Sequence, residues 1–252
     1  MAQRLDHLLL ARGMATDLPT AVGLIMTGKV LVNDHPQLKP GFRVPESALI
    51  RLKDPPLPWV SRGALKLVAA LEGMALDVTG RVCLDVGAST GGFTDLLLSR
   101  GAARVFAVDV GYGQLAWKLV QDPRVVVMDR CNIRHLSPRD LPGLVDFLTM
   151  DISFMALTLA LPAAVACLRE EGQGVALIKP QFELPREMVE KGGVITDPLS
   201  HQQAIERVQA AGAALGLTTR QILPSPVLGP AGNREFLYGF EKKAPGVTHC
   251  CK

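Results

Sequence analysis

The chain has 252 residues, 48% of them hydrophobic and 20% charged, with a formal net charge of +3. That is enough apolar material for one large core with a small domain beside it, and the mildly basic balance permits a nucleic-acid partner without demanding one. Five cysteines with no C-x-x-C pair exclude a regular disulfide framework, and the opening MAQRLDHLLLARG has no apolar stretch long enough for a secretory leader, so a reducing, cytoplasmic setting is expected.

Cys83, Cys131 and Cys167 lie in or beside apolar runs and are expected to be small core residues. The longest apolar run, Ile152–Leu168, is interrupted by Ser153, Thr158 and Pro162 and is too short to span a bilayer. A strand end running into a core helix is expected there, and no membrane association.

At the amino terminus, Leu5, Leu8 and Leu9 share one face of a helix predicted over Arg4–Arg12, and Gly13 stands where a glycine ends a helix. A second helix is predicted over Leu18–Thr27, with Val22, Ile25 and Met26 facing inward and Gly28 closing it. Strand Val30–Val32 and an Asn33-Asp34 turn follow. The set Arg4-Leu5-Asp6, Leu9, Ala21, Ile25, Gly28, Val30 and Val32-Asn33 resembles the small RNA-binding domain named after a small-subunit ribosomal protein. Asp17-Leu18-Pro19-Thr20 stands where that domain usually has a basic residue. Residues 1–53 carry seven Lys or Arg against four acids, so a modest attraction to phosphate is expected.

The proline-dense Lys53–Pro58 reads as a linker. The expected division is a small RNA-binding domain over 1–53, a linker over 54–60, a larger domain over 61–243 and a disordered tail over 244–252. Ser61–Leu71 reads as a helix in front of the larger domain and carries Lys66, a residue type that ordinarily sits in solvent on a snorkelling stem.

Val82–Leu84 is an apolar strand ending at Asp85. A glycine turn follows, then a helical pattern bearing Phe93, Leu96, Leu97 and Leu98, then a second strand, Arg104–Val108, ending at Asp109. This is a βαβ unit, whose ligand crevice lies at the carboxyl ends of its strands. The turn, with Gly87, Ser89, Gly91 and Gly92, is neither a G-x-G-x-x-G fingerprint nor a P-loop. A carboxylate two residues before the first glycine would repel a diphosphate, and it suits a ligand carrying an ammonium and a sulfonium, as S-adenosylmethionine does. Asp109 would then accept hydrogen bonds from ribose hydroxyls. Taken alone, the stretch is also accounted for by a glycine-rich turn that holds no ligand.

A short helix is predicted around Leu115–Val120, and a third strand, Val125–Met128, closes on Asp129. Asp129 is placed either to face an adenine amine or to serve as a turn residue. The fourth strand, Val145–Met150, ends at Asp151, and the fifth, Gly174–Ile178, ends at Lys179, whose ammonium either is partly buried or reaches solvent at the sheet rim. Glu183–Pro198 reads as a substrate-side loop, His201–Leu215 as a helix, and Arg220–Leu223 and Glu235–Phe240 as the last strands. Cys250-Cys251 beside His249 is too small a set for a metal site.

Lys66, Asp151, Lys179 and Glu235 are four ionisable residues that the sheet's carboxyl edge and its flanking helix would bring into one cleft, where two cations and two acids orient each other. The supporting blocks are Ser61-Arg-Gly-Ala-Leu-Lys66-Leu, Asp85-Val-Gly-Ala-Ser-Thr-Gly-Gly-Phe-Thr, Asp109-Val-Gly-Tyr-Gly-Gln-Leu-Ala-Trp, Lys179-Pro-Gln-Phe-Glu and Gly229-Pro-x-Gly-Asn-x-Glu235. Their order resembles FtsJ-like ribose 2′-O-methyltransferases. The whole chain resembles the TlyA or hemolysin A family, which joins that domain to the RNA-binding domain above.

The resemblance implies an α/β fold: a Rossmann-like class I methyltransferase sheet with helices on both faces, preceded by the small α/β RNA-binding domain. It implies transfer of a methyl group from S-adenosylmethionine to a ribose 2′-hydroxyl, at cytidines, in the ribosomal RNA of ribosomal subunits, without a metal. On that reading Lys179 takes the hydroxyl proton, Asp151 orients it, Lys66 positions the ribose and opposes the charge of Lys179, and Glu235 anchors both lysines. Asp85, Gly87, Ser89, Gly91, Asp109 and Asp129 would hold the cofactor. Two rivals stand beside it. The lack of any apolar span or long basic amphipathic stretch argues against a membrane-active hemolysin. The complete set of four residues argues against a non-catalytic RNA-binding or ribosome assembly protein.

Overall fold

The computed structural model describes residues 2–53, 57–189 and 192–244, and the chain divides into two compact units, Met1–Pro58 and Trp59–Lys252. The expected linker therefore ends earlier than residue 60. Trp59 and Val60 belong to the second unit, where the Val60 N–H donates to Asp95 at 2.8 Å and the Trp59 indole N–H to Ser99 at 3.4 Å. Residues 54–56 of the linker lie outside the described residues, as do 245–252 of the expected tail, with Cys250 and Cys251.

The first unit runs β1 (Ala2–Arg4), α1 (Leu5–Ala11), α2 (Leu18–Met26), β2 (Val30–Val32), β3 (His35–Pro36), β4 (Arg43–Pro45) and β5 (Ile50–Leu52). Strand β1 pairs antiparallel with β4, and β3, β2 and β5 form a three-stranded antiparallel sheet. Leu5, Leu9, Ala21, Ile25 and Val30 are fully buried and make the core. The inward set on α2 differs from expectation. Met26 is 64% exposed and Val22 half-buried, because the buried stripe passes through Ala21 and Ile25. The replacement of the usual basic residue has a local purpose: Asp17 caps α2 by accepting the Thr20 N–H at 2.7 Å, and Pro19 occupies the first turn. Asn33 and Asp34 both adopt positive φ, as a two-residue hairpin turn between β2 and β3 requires.

The second unit continues with α3 (Ala64–Gly73), β6 (Val82–Val86), α4 (Gly92–Ser99), β7 (Arg104–Val108), α5 (Trp117–Val120), β8 (Val125–Met128), β9 (Val145–Met150), α6 (Leu157–Ala166), β10 (Leu168–Ile178), α7 (Pro180–Glu183), α8 (Pro198–Ala214), β11 (Leu217–Pro224) and β12 (Phe236–Lys242). Seven strands form one sheet in the order β8-β7-β6-β9-β10-β12-β11. Strands β6 to β10 are parallel, and β12 runs antiparallel between β10 and β11.

Period-two alternation splits the core into two layers. Cys83, Val105, Phe147, Val175 and Leu237 pack with α3 and α4 on one face. Leu84, Phe106, Leu148, Ala176 and Tyr238 pack with α6 and α8 on the other. The neighbouring strands β6 and β9 lead the chain away in opposite directions, which makes the gap at their carboxyl ends the topological switch point of the sheet. Among the described residues no helix is long and apolar enough to cross a membrane.

Candidate active site

The switch point is closed by a contact that only glycine permits. At Gly87, φ is +82°, and a Cβ there would lie 2.6 Å from the carbonyl oxygen of Asp151. The two strand ends thus touch, with the Asp151 N–H donating to the Val86 carbonyl at 2.9 Å. One side of this junction opens into a cavity of about 290 Å³ lined by Gly87, Ser89, Asp109, Gln114, Cys131 and Asp151, with Val86, Val108, Ile133 and Ile152 as its apolar walls. Asp109 is aimed by backbone: its Oδ2 accepts the Ser89 N–H at 2.8 Å and its Oδ1 the Gly111 N–H at 2.7 Å. Two carboxylates line this cavity, and among the described residues no lysine or arginine does.

Three expected cofactor residues sit elsewhere. Asp85 is 0% exposed and does not line the cavity. The strand continues one residue past it, so Asp85 shares the face of Cys83 and points beneath α4, where its oxygens accept the hydroxyls of Thr94 at 2.7 Å and Thr149 at 2.9 Å. Burial pushes this carboxyl up to about 6, against the pull of the two threonines. Asp129 also lies outside the lining; it accepts the Gly113 N–H at 2.8 Å and steadies the turn beside Arg130, whose guanidinium stacks 4.3 Å over Tyr112. Gly91, at φ +97°, sets the entry into α4 and packs against Leu115 and Leu119.

The four ionisable residues do come together. The Lys66 ammonium donates to Glu235 at 2.7 Å and to Asp151 Oδ2 at 3.2 Å, while Asp151 Oδ1 lies 2.6 Å from the Lys179 ammonium. Asp151 therefore bridges the two cations, one oxygen to each. The lysines are 8% and 6% exposed and Glu235 is 1% exposed, so this is a neutral cluster of two opposite pairs and not a solvated rim. Glu235 reaches Lys66 but not Lys179, which takes a partner missing from the sequence-based set: Ser153 Oγ, at 2.9 Å. The signal for Ser153 was present, since it stands two residues after the strand-end acid.

The helix carrying Lys66 starts at Ala64, three residues later than expected, because Val60 is tied to α4 first. A cavity of about 240 Å³ borders the cluster, lined by Lys66, Lys179, Asp151, Glu235, Gly87 and Ser89. A third, of about 440 Å³, also borders Lys179 and Glu235, with Phe154, Gln181, Phe182 and Asn233 in its lining. Asp151 and Ser153 line both the first cavity and the second.

Residues 59–242 match the family described as FtsJ-like methyltransferase. The chain is 47% identical over 234 residues to the 16S/23S rRNA (cytidine-2′-O)-methyltransferase TlyA of Mycobacterium tuberculosis, covering 92% of this chain and 87% of that one. It is 33% identical to Hemolysin A of Brachyspira hyodysenteriae, over 94% of this chain and 99% of the relative. A solved Streptococcus thermophilus protein that carries the hemolysin name is 40% identical, with a TM-score of 0.76, over 96% of this chain and 89% of that one. An S-adenosylmethionine dependent methyltransferase from Mesorhizobium loti, at 15% identity and a TM-score of 0.52, shares the fold. The chain belongs to the FtsJ-like methyltransferases, in the group where the TlyA and hemolysin A proteins fall together.

Proposed function

We propose that this protein transfers a methyl group from S-adenosylmethionine to the 2′-hydroxyl of a cytidine ribose in ribosomal RNA. The observation that carries the reading is the shared wall: Asp151 and Ser153 line both the cavity that holds Asp109 and the one that holds Lys66, Lys179 and Glu235. The first cavity fits the cofactor. Its Asp109 carboxylate keeps lone pairs free beyond the two backbone N–H groups, as a ribose diol needs, and its lining without a lysine or arginine suits a sulfonium and not a diphosphate. When bound, S-adenosylmethionine supplies an electrophilic methyl group.

The protein's own residues then align the nucleophile and remove its proton. Lys179, in its neutral form, accepts the hydroxyl proton at Nζ, and Asp151 and Ser153 hold that nitrogen in place. Lys66, anchored by Glu235, positions the ribose oxygen. The adjoining cavity beside Lys179 gives the nucleoside room. The first unit, with its surplus of basic residues, adds affinity for phosphate, and the reaction is cytoplasmic, where ribosomal subunits are.

The test is transfer of labelled methyl groups from S-adenosylmethionine to isolated ribosomal subunits, followed by mapping of the modified nucleotide. A 2′-O-methylcytidine is expected. Methylation of a base, or none with intact cofactor binding, would overturn the reading. A vesicle-leakage assay on the same preparation checks the hemolysin rival, which requires leakage at enzyme concentrations.

A further inference from the structure

Glu183 closes the short helix α7, which begins immediately after Lys179, and it is 3% exposed. Its Oε1 accepts the backbone N–H of Leu157, the first residue of α6; burial pushes its carboxyl up, against the pull of that N–H and of the N–H and hydroxyl of Thr158. Helix α6 has no cap of its own, since Ala156 stands at its N-cap and offers no side-chain acceptor. A helix leaves N–H groups unpaired in its first turn and concentrates partial positive charge there. Here the missing acceptor arrives from 26 residues further along the chain.

What matters is what hangs on the two ends of this bond. The segment between β9 and α6 carries Asp151 and Ser153, which hold the Lys179 ammonium at 2.6 and 2.9 Å. Glu183 lies four residues beyond that same lysine. Strands β9 and β10 are paired only as far as Met150 and Ala176, so past the sheet no ladder joins the two segments. Phe154, inside the first segment, sits at φ +66°, a conformation that non-glycine residues seldom adopt and that surrounding contacts must maintain. We propose that Glu183 is a positioning residue: its bond to Leu157 clamps the Asp151–Ala156 segment against the Lys179 turn and so keeps Asp151 and Ser153 on the Lys179 ammonium. Its kinetic consequence rests on the function proposed above; the clamp itself does not.

Glu183→Ala should slow single-turnover methyl transfer, at saturating cofactor and RNA, by about 10²-fold, the scale of a small misplacement of reacting groups. Amide exchange should speed up across 151–157 and 179–184. Glu183→Gln keeps the acceptor oxygen and should stay within about threefold of wild type. The deciding variant combines Glu183→Ala with Ala156→Asp, which gives α6 a local cap but no tie to Lys179. Its melting temperature should return toward wild type while the rate stays low and residues 179–184 stay unprotected. A rate that recovers together with the melting temperature would make Glu183 a cap for stability alone and overturn the proposal. So would a folded Glu183→Ala protein at the wild-type rate. If the wild type itself transfers no methyl group, the function falls, and the exchange pattern of the double variant decides the clamp by itself: protection restored across 179–184 refutes it, and protection restored only in α6 sustains it.

Discussion

The aspartates that follow β7 and β8 are held by backbone, whereas at the other end of the cleft the acids of the lysine cluster are held by side chains of opposite charge. Asp109 and Asp129 take N–H groups from Ser89, Gly111 and Gly113, all within the one stretch that builds β6 to β8. Asp151 and Glu235 take the ammonium groups of Lys66 and Lys179, and the Lys66–Glu235 pair spans 169 residues. Backbone donors are fixed by the fold and do not titrate, so they preset an orientation. Side-chain pairs depend on one another, so removing one member leaves a buried charge without its partner. Replacements at the second end should therefore cost more than replacements at the first.

The largest effect is expected at Lys179. Arginine keeps the charge and cannot give up its proton, so Lys179→Arg should lower the single-turnover rate about 10²–10⁴-fold, the usual weight of a positioned general base, while cofactor and RNA binding persist. Retention of most of the rate would reduce Lys179 to an electrostatic clamp and assign proton removal to Asp151 or to water.

Stability is the next test. Lys66→Met strands Glu235, which has no other ion-pair partner among the described residues, and should destabilise the protein by about 3–5 kcal/mol in urea melts. Adding Glu235→Leu should restore most of that stability without restoring methyl transfer. A double variant as unstable as the single one would mean that the lysine's packing, and not its charge pairing, is what the core requires.

The same contrast explains what could be read before the fold was known. Strands β7, β8 and β9 fall at their expected limits, because each is an apolar, β-rich run closed by an aspartate. Strand β10 starts at Leu168, six residues early, because its first residues Arg169, Glu170 and Glu171 are exposed and polar and carry no burial signal. The glycine turn after β6 is local and legible in one stretch, but the direction of Asp85 is not: it depends on β6 continuing to Val86. Nothing local connects Lys66 to Glu235. Their meeting is legible only in the order of the motif blocks, and Ser153 belongs to none of them.

Asp85 belongs to neither end, since threonine hydroxyls hold it, and its cost shows in the pH dependence of stability. Its folded value, about 6, lies above the usual 3.8. The folded state therefore binds the proton more tightly than the unfolded chain, and the stability this confers is complete below about pH 4 and lost as pH rises through 6. Above that, the buried charge costs on the order of 3 kcal/mol. Urea melts of the wild type between pH 4 and 7 should lose about that much relative to Asp85→Asn, and parallel curves would show that Asp85 stays ionised throughout. Cofactor affinity should change little in this variant, because the side chain does not reach the cavity.

The smallest effects separate the two backbone-held acids. Asp109 lines the cavity with lone pairs to spare, so Asp109→Asn should cost the cofactor a hydrogen bond to a charged group, about 1.5–3 kcal/mol, or about 10- to 150-fold in affinity by calorimetry. Asp129 reaches only the Gly113 N–H from outside the lining. Its replacement by Asn leaves an acceptor oxygen for that donor, so affinity should fall by no more than about tenfold, the worth of one neutral hydrogen bond. The ordering is what counts. If Asp129→Asn weakens the cofactor as much as Asp109→Asn does, then Asp129 turns toward the ligand when it binds, and the turn beside Tyr112 and Arg130 must rearrange to release it from Gly113.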